Sequence, residues 1–162
     1  LGRLESAKGV DVLIETVLRQ PDLVLLLAGE GPDRVALEAR IRGGEARKRI
    51  RFLGVVRESR NELYAAADLF CLPSRHEGQP LSLLEAMAMG TPVATTGPWL
   101  PDDLLPFAAV ESQPEHAITK GLALSGQVDR ADLRRRVLGA HTWDHRARAY
   151  LALFERVSHR SS

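Results

Sequence analysis

The chain has 162 residues, and its 22 lysines and arginines against 21 aspartates and glutamates give a formal net charge of +1 at pH 7. This length predicts one domain that is large enough to bury a sizeable core. A hydrophobic share of 44% with 27% charged residues excludes disordered and low-complexity chains. The balanced charge provides no overall field for nucleic acid or an anionic membrane, so we expect no nucleic-acid partner and only local anion binding.

Cysteine content and hydropathy indicate where such a chain works. The single cysteine, Cys71 in LFCLPS, cannot form an internal disulfide, and its apolar setting favours a buried small side chain over a reactive thiol. No stretch approaches the ~20 apolar residues of a membrane span, and no signal peptide is evident. We therefore expect a cytoplasmic protein, and the arginine-rich, lysine-poor composition favours a bacterial source. The chain opens on Leu1 without an initiator methionine, which predicts that it was cut from something longer.

Helical and strand-like segments alternate along the chain, as they do in βαβ units with a parallel sheet. In chain order, periodicity and turn residues predict a helix at 10–18, a strand at 23–29, a helix at 32–43, a strand at 50–54, a helix at 61–67, a strand at 68–74, a helix at 80–90, strands at 92–97 and 107–111, and helices at 115–124, 129–140 and 142–157. The predicted fold class is α/β, a doubly wound parallel sheet forming one Rossmann-like domain over 1–162. Ligands of such sheets bind outside the carboxyl ends of the strands.

The turn GRLESAKG carries two cations, Arg3 and Lys8, ahead of the first predicted helix. A guanidinium, an ammonium and a helix N-terminus together suit a diphosphate. Two solvated surface cations beside a turn are the alternative, and the residues alone leave both readings open.

The turn GEGPDR follows the first predicted strand and is similar to the opening of a dinucleotide fingerprint. Arg34 stands where the third glycine would be, and no acidic residue ends the next strand, IRFLG. A tight turn without any ligand fits these residues at least as well as a phosphate contact. An NAD-dependent oxidoreductase therefore remains only a minor alternative.

The segment PSRHEGQPLSLLEAMAMG holds two carboxylates, Glu77 in a loop and Glu85 in the helix that follows. This placement predicts that they mark opposite ends of one elongated ligand. A carboxylate on an apolar helix face needs hydrogen-bond donors, and a sugar diol is a suitable one. The alternative is an exposed helix former at Glu85 and a plain loop charge at Glu77.

The motifs in this order resemble the C-terminal, nucleotide-sugar-binding domain of retaining glycosyltransferases of the GT-B fold, family four. The resemblance is carried by GRLESAKG, LLLAGEGP, IRFLGVV, LYAAADLFCLPS, EGQPLSLLEAMAMGTPVATT and TWDHRARAYLALFERV. It covers nearly the whole chain, and the paired-glutamate block is its most specific part.

This resemblance implies a role for each candidate residue. Arg3 and Lys8 would bind the donor diphosphate, Glu85 would accept hydrogen bonds from the nucleotide ribose, and Glu77 would be the catalytic residue that faces the transferred sugar. Backbone contacts to the sugar or distal phosphate would come from Gly78, Gln79, Pro80 and Leu81. The reaction would move a glycosyl group from a nucleoside diphosphate sugar to an unidentified acceptor with retention of configuration. No cofactor or metal is implied, and the chain lacks an Asp-x-Asp metal motif.

Several family features are absent. Family members are longer and carry an N-terminal domain that makes most of the acceptor contacts. The apolar strand that usually precedes the turn GRLESAKG in the family is missing here. The segment 97–116, with Asp102 and Asp103, also departs from the family pattern. We expect the isolated domain to be inactive, because the cleft between domains supplies orientation and excludes water.

Three expectations concern partners and rival functions. Peripheral association with the inner membrane through the absent domain is left open. The C-terminal helix is expected to be partly exposed and available for self-association. A noncatalytic nucleotide- or sugar-binding module of the same fold is the main alternative to an enzyme.

Overall fold

The computed structural model describes residues 1–41, 43–78 and 80–158. Its five strands are β1 (Leu25–Ala28), β2 (Ile50–Gly54), β3 (Phe70–Leu72), β4 (Val93–Thr95) and β5 (Ala108–Val110). Its helices are α1 (Val10–Arg19), α2 (Arg34–Arg40), α3 (Ala46–Arg49), α4 (Arg60–Ala66), α5 (Leu81–Ala88), α6 (Pro114–Ser125), α7 (Arg130–Ala140) and α8 (Trp143–Ser158). Two 3₁₀ segments, Ser6–Lys8 and Asp102–Phe107, complete the described elements.

Every element predicted from the sequence is present, and most are shorter than predicted. The strand at 50–54 has the predicted bounds, whereas β1 and β3 lose residues at both ends. The sequence did not predict α3 because its four residues, ARKR, carry no apolar periodicity. The two 3₁₀ segments were also missed, since segments of three and six residues are too short to show a period.

All strand pairs are parallel, which confirms the predicted α/β fold class. The pairing forms two sheets rather than one continuous sheet, with strand orders β1-β2 and β3-β4-β5. Leu25 is in register with Ile50, and Val93 is in register with both Phe70 and Ala108. The carboxyl ends of the strands in each sheet therefore point in one direction.

A cavity of about 850 Å³ separates the two sheets. Its walls include β1 and β3, whose facing edges do not pair with each other among the described residues. Apolar side chains of α1 and α6, including Leu13 and Ile118, also line it. An apolar space between two unpaired strand edges has the surroundings of a buried parallel strand.

The core consists of two main apolar clusters, one beside each sheet. The first joins α1, β1, α2 and β2 around Ile14 and Leu27. The second joins α5, β4, α7 and the 3₁₀ segment Asp102–Phe107 around Leu83 and Leu133. Since Leu83 is fully buried, α5 is held firmly against the second sheet. The loop between β3 and α5 is therefore anchored where it joins α5.

The C-terminal helix α8 differs from the other long helices because none of its residues is buried. Its apolar side chains are exposed, with Trp143, Tyr150, Leu151 and Phe154 along one side. The exposure expected for this helix is therefore observed. None of the helices in the described ranges is both long enough and apolar enough to cross a bilayer.

Candidate functional site

The glycine turn after β1 packs against the backbone of residues 2–4. Gly2 N donates to Ala28 O at 2.9 Å, and Leu4 N donates to Glu30 O at 3.0 Å. A Cβ on Gly29, where φ is +141°, would lie 1.7 Å from Gly2 O. The glycine is therefore required by backbone packing, and this contact explains the GEGPDR turn without a ligand.

Arg34, at the position of the missing third glycine, is already engaged by its neighbours. It forms ion pairs with Glu30 and Glu38, and its guanidinium lies 5.8 Å from the ring centroid of Phe52. These contacts give the side chain a structural role on the surface of α2.

Lys8 and Glu77 meet at the carboxyl ends of the strands. Lys8 Nζ donates to Glu77 Oε1 at 2.7 Å, and Ser74 Oγ donates to the same oxygen at 2.6 Å. The side chain of Glu77 is 11% exposed and that of Lys8 is 27% exposed. Both bonds use Oε1, and none of the hydrogen bonds among the described residues uses Oε2, which is the carboxylate oxygen that could accept from a ligand.

The loop that carries Glu77 is tied to the turn that carries Lys8. Arg75 N donates to Ala7 O at 2.8 Å, and Arg75 Nη1 donates to Ser6 O at 2.6 Å. The Arg75 guanidinium also lies 3.5 Å from Asp11 on α1. Because these bonds join the two loops, the separation of Lys8 and Glu77 is fixed by the backbone as well as by their own ion pair.

Arg3 lies at the edge of this arrangement. Its side chain is 72% exposed, and its Nε lies 3.5 Å from a carboxylate oxygen of Glu5. Arg3, Lys8 and Glu77 all line the cavity described above. The structure thus brings Lys8 and Glu77 into contact and leaves Arg3 at the rim, paired with a neighbour in sequence.

The start of α5 contains the residues assigned backbone contacts. Pro80 is the N-cap and Leu81 is the first helical residue. Leu83 N donates to Pro80 O at 3.1 Å, and the N–H groups of Leu81 and Ser82 point out of the start of the helix. Pro80 has no N–H and cannot donate, which corrects the assignment of backbone N–H contacts across this whole segment. Gly78 is exposed with open space around its Cα, and Gln79 lies outside the described residues.

Glu85 lies in the second turn of α5, half-buried against α4. Tyr64 Oη donates to Glu85 Oε2 at 3.1 Å, and Arg60 Nη1 lies 3.4 Å from Glu85 Oε1. Both contacts come from α4, one on each carboxylate oxygen. Glu85 is not among the described residues that line the cavity beside Arg3, Lys8 and Glu77.

The segment 97–116 is built into the second core cluster. Leu104 and Phe107 are buried there, and Trp99 packs against the same cluster. Asp103 Oδ2 lies 2.9 Å from His141 Nε2 at the end of α7, and this hydrogen bond lowers the pKa of Asp103 below its ordinary value. The contacts of this segment join it to α7.

The Cys71 thiol lies partly buried on the cavity wall. Burial raises its pKa to about 12. The thiolate is therefore scarce at neutral pH, which agrees with the small buried side chain predicted from the sequence.

Residues 1–102 match the family model described as "Glycosyl transferases group 1". This chain belongs to that family. Glycogen synthase of Deinococcus deserti is 34% identical over 97% of this group 1 glycosyltransferase chain and 37% of its own length. Mannosylfructose-phosphate synthase of Agrobacterium fabrum is 39% identical over 59% of this chain and 24% of its own length. The glycosyltransferase chain spans between 24% and 38% of the length of such curated relatives.

Solved structures of glycosyltransferases have the same fold. TarM of S. aureus superposes with a TM-score of 0.77 at 20% identity, covering 94% of this chain and 34% of that chain. Sucrose-phosphate synthase of Thermosynechococcus elongatus superposes with a TM-score of 0.76 at 23% identity, covering 99% of this chain and 45% of that chain. The likeness confirms the predicted Rossmann-like fold of the GT-B type.

Two residues of this candidate site were missed from the sequence, Ser74 and Tyr64. A hydroxyl three residues before a loop carboxylate is a local signal that could have found Ser74. Tyr64 and Glu85 are 21 residues apart on different helices. Their contact depends on how α4 packs against α5, for which the sequence holds no local signal.

Proposed function

We propose that this chain is the donor-binding domain of a retaining glycosyltransferase, and that it binds a nucleoside diphosphate sugar at the carboxyl ends of its strands. The observation that carries the proposal is the contact between Lys8 and Glu77 beside the start of α5. A cation for phosphate and a carboxylate for sugar hydroxyls are thereby placed side by side, as the junction of diphosphate and sugar requires.

In this proposal Lys8 and Arg3 bind the diphosphate, and Arg3 exchanges its weak surface contact with Glu5 for a phosphate oxygen. Exposed ion pairs of this kind contribute little to stability, so the exchange costs little. The backbone of Gly78, Gln79 and Leu81 approaches the sugar or the distal phosphate, where N–H groups at a helix start favour an anion.

The proposed chemistry is transfer of the sugar with retention of configuration. The bond between the anomeric carbon and the diphosphate oxygen breaks, so negative charge grows on the departing diphosphate. Lys8 and Arg3 would stabilise that charge more strongly in the transition state than in the ground state. Glu77 would hold the transferred sugar through Oε2, while Ser74 and Lys8 fix the other oxygen.

Named complexes of structural neighbours support a nucleotide donor. The TarM structure contains UDP, and the pneumococcal O-GlcNAc transferase GtfA was solved with UDP and GlcNAc. We extend only the donor class, a nucleoside diphosphate sugar, to this chain.

We further propose that the domain acts as part of a longer polypeptide and is inactive alone. The cavity between β1 and β3 supports this, because one apolar strand would fill it and join both sheets. The exposed apolar side of α8 supports packing against an N-terminal domain, or self-association when that domain is absent. Analytical ultracentrifugation of the chain and of its Phe154→Ser variant tests self-association, and a monomeric parent chain would refute it.

Isothermal titration of the chain with UDP-, GDP- and ADP-sugars tests the donor proposal. Hydrogen bonds to charged groups contribute about 1.5–3 kcal/mol, so Lys8→Met and Glu85→Ala should each weaken binding roughly 10- to 100-fold. Lys48→Met is the matched control, because Lys48 is an exposed lysine whose ion pair among the described residues is with nearby Glu45. Failure of every nucleotide to bind would overturn the proposal.

Two further measurements separate the alternatives. Binding of NAD with no response to nucleoside diphosphates would favour the oxidoreductase. Turnover by the polypeptide restored to full length would distinguish an enzyme from a noncatalytic binding module, which should bind the donor and release no nucleoside diphosphate.

A further inference from the structure

Glu85 is held by two partners of very different character. Tyr64 is 2% exposed, and its ring packs edge-on against Phe70 with the centroids 5.3 Å apart. The backbone carbonyl of Tyr64 also accepts a buried hydrogen bond from Thr91. The phenol is therefore immobile, and its hydroxyl fixes the position of the Glu85 oxygen to which it donates.

Arg60 is the other partner of Glu85, and the ion pair between them is weak. Its side chain is 48% exposed, and its Nη1 lies 3.4 Å from Glu85 Oε1, beyond an ordinary charge-assisted hydrogen bond. Exposed ion pairs with flexible side chains contribute little, because ordering the side chain offsets the attraction. Arg60 can therefore leave Oε1 when a stronger donor arrives.

The two carboxylate oxygens of Glu85 thus have separate roles. One oxygen is anchored to the protein through Tyr64, and the other is paired with the exposed, exchangeable guanidinium of Arg60. A glutamate side chain rotates about three bonds, and fixing one oxygen removes most of that freedom. The remaining lone pairs then point in a defined direction, which suits two adjacent hydroxyl donors.

We propose that Tyr64 is a positioning residue that orients Glu85 to recognise the adjacent 2′- and 3′-hydroxyls of a nucleotide ribose, with Arg60 displaced from Oε1 on binding. This inference rests on the proposed function. It assigns discrimination between ribose and deoxyribose to a buried phenol on α4 that does not touch the ligand. Burial and the charge of Glu85 raise the pKa of Tyr64, so its hydroxyl remains a donor at any working pH.

The test compares UDP with 2′-deoxy-UDP and 3′-deoxy-UDP, or the matching GDP or ADP series if that base binds more tightly. Wild type should bind the ribonucleotide more tightly than either deoxynucleotide. One net hydrogen bond corresponds to a factor of roughly 2 to 12, so Tyr64→Phe should reduce the ratio of dissociation constants by about that factor. Binding of the deoxynucleotides should change less than about twofold, because the aromatic ring and the diphosphate contacts are retained.

Tyr150→Phe is the matched control, because the other tyrosine of the chain is exposed on α8, and it should leave the ratio unchanged. Equal weakening of ribonucleotide and deoxynucleotide by Tyr64→Phe would indicate a merely structural role and overturn the inference. An unchanged ratio would overturn it as well.

A second variant keeps the inference testable if Tyr64→Phe does not fold. Arg60→Gln should keep the ratio at or above the wild-type value, and loss of the ratio in this variant would overturn the assignment to Tyr64. If wild type binds ribonucleotide and deoxynucleotide equally, the inference fails while diphosphate binding stands. If wild type binds no nucleotide, the proposed function fails and the inference fails with it.

Discussion

The ion pair between Lys8 and Glu77 should be energetically coupled, and a double-mutant cycle measures that coupling without any ligand. The cycle compares Lys8→Met, Glu77→Gln and the double variant with the parent chain. Lys8→Met should be the more destabilising single change, because it leaves a carboxylate that is only 11% exposed with Ser74 as its remaining donor. Glu77→Gln leaves an ammonium on a flexible chain that can turn toward water.

The size of the coupling follows from the geometry. Coulomb's law with an effective dielectric constant near 20 gives about 6 kcal/mol for charges 2.7 Å apart. The desolvation of both charges and the ordering of the lysine side chain offset most of that attraction. The net contribution of a charge-assisted hydrogen bond, about 1.5–3 kcal/mol, is therefore the expected coupling energy.

Urea unfolding at pH 7, followed by circular dichroism, provides the four free energies of unfolding. Lys120 and Glu111 form the matched control, since their N–O distance is also 2.7 Å but their side chains are 60% and 36% exposed. Their coupling should not differ measurably from zero. A Lys8–Glu77 coupling below about 0.5 kcal/mol, the usual error of additivity, would refute the pairing on which the site depends. Equal coupling in both pairs would refute the argument from burial.

Three further predictions concern the fold around the site. Gly29→Ala should lower the thermal midpoint of unfolding strongly, since its Cβ would lie 1.7 Å from the backbone oxygen of Gly2. Gly126→Ala should leave the midpoint unchanged, because a Cβ there would have no atom within 4 Å. Similar midpoints for the two variants would contradict the packing of Gly29 against Gly2. Because the His141 hydrogen bond lowers the pKa of Asp103 below its ordinary 3.8, its stabilisation should be complete above about pH 4 and disappear as pH falls through the lowered value. The urea midpoints of wild type and Asp103→Asn should therefore converge in acid, and a gap that persists at every pH would contradict that contact. An apolar extension of about five residues ahead of Leu1, Val-Val-Ile-Val-Val, should slow amide exchange along β1 and β3, and an extension of five serines should not. Equal amide exchange rates with both extensions would contradict the proposal that an additional strand binds in the cavity between β1 and β3.

Local patterns were sufficient to predict most of the secondary structure. The strand at 50–54 and the helix that carries Glu85 lie where the sequence predicts them, because each buries apolar side chains at its own period. The break between β1 and β3 could not be predicted in this way. An apolar run in the sequence indicates that a strand is buried, but it does not indicate which other strand pairs with it.

Contacts between distant parts of the chain were the other feature that the sequence could not predict. The sequence assigns Lys8 and Glu77 to different parts of one donor, yet in the structure they bind each other. The assignment of donor contacts to residues 78–81 missed that Pro80 has nothing to donate. Trp99 and Leu104 could not be placed in advance, because that segment has neither a clear period nor the family pattern. Phe107, predicted to begin a strand, instead ends the 3₁₀ segment.

The sequence by itself determined the order of elements, the fold class and the glycosyltransferase family, because these depend on short-range periodicity and on motifs that are contiguous in the chain. Only the tertiary structure decided that Lys8 binds Glu77 and that Tyr64 holds Glu85. The first contact joins residues 69 positions apart and the second joins residues 21 positions apart. They exist because helix packing and the loops at the strand ends bring these residues together, and no local pattern encodes that proximity.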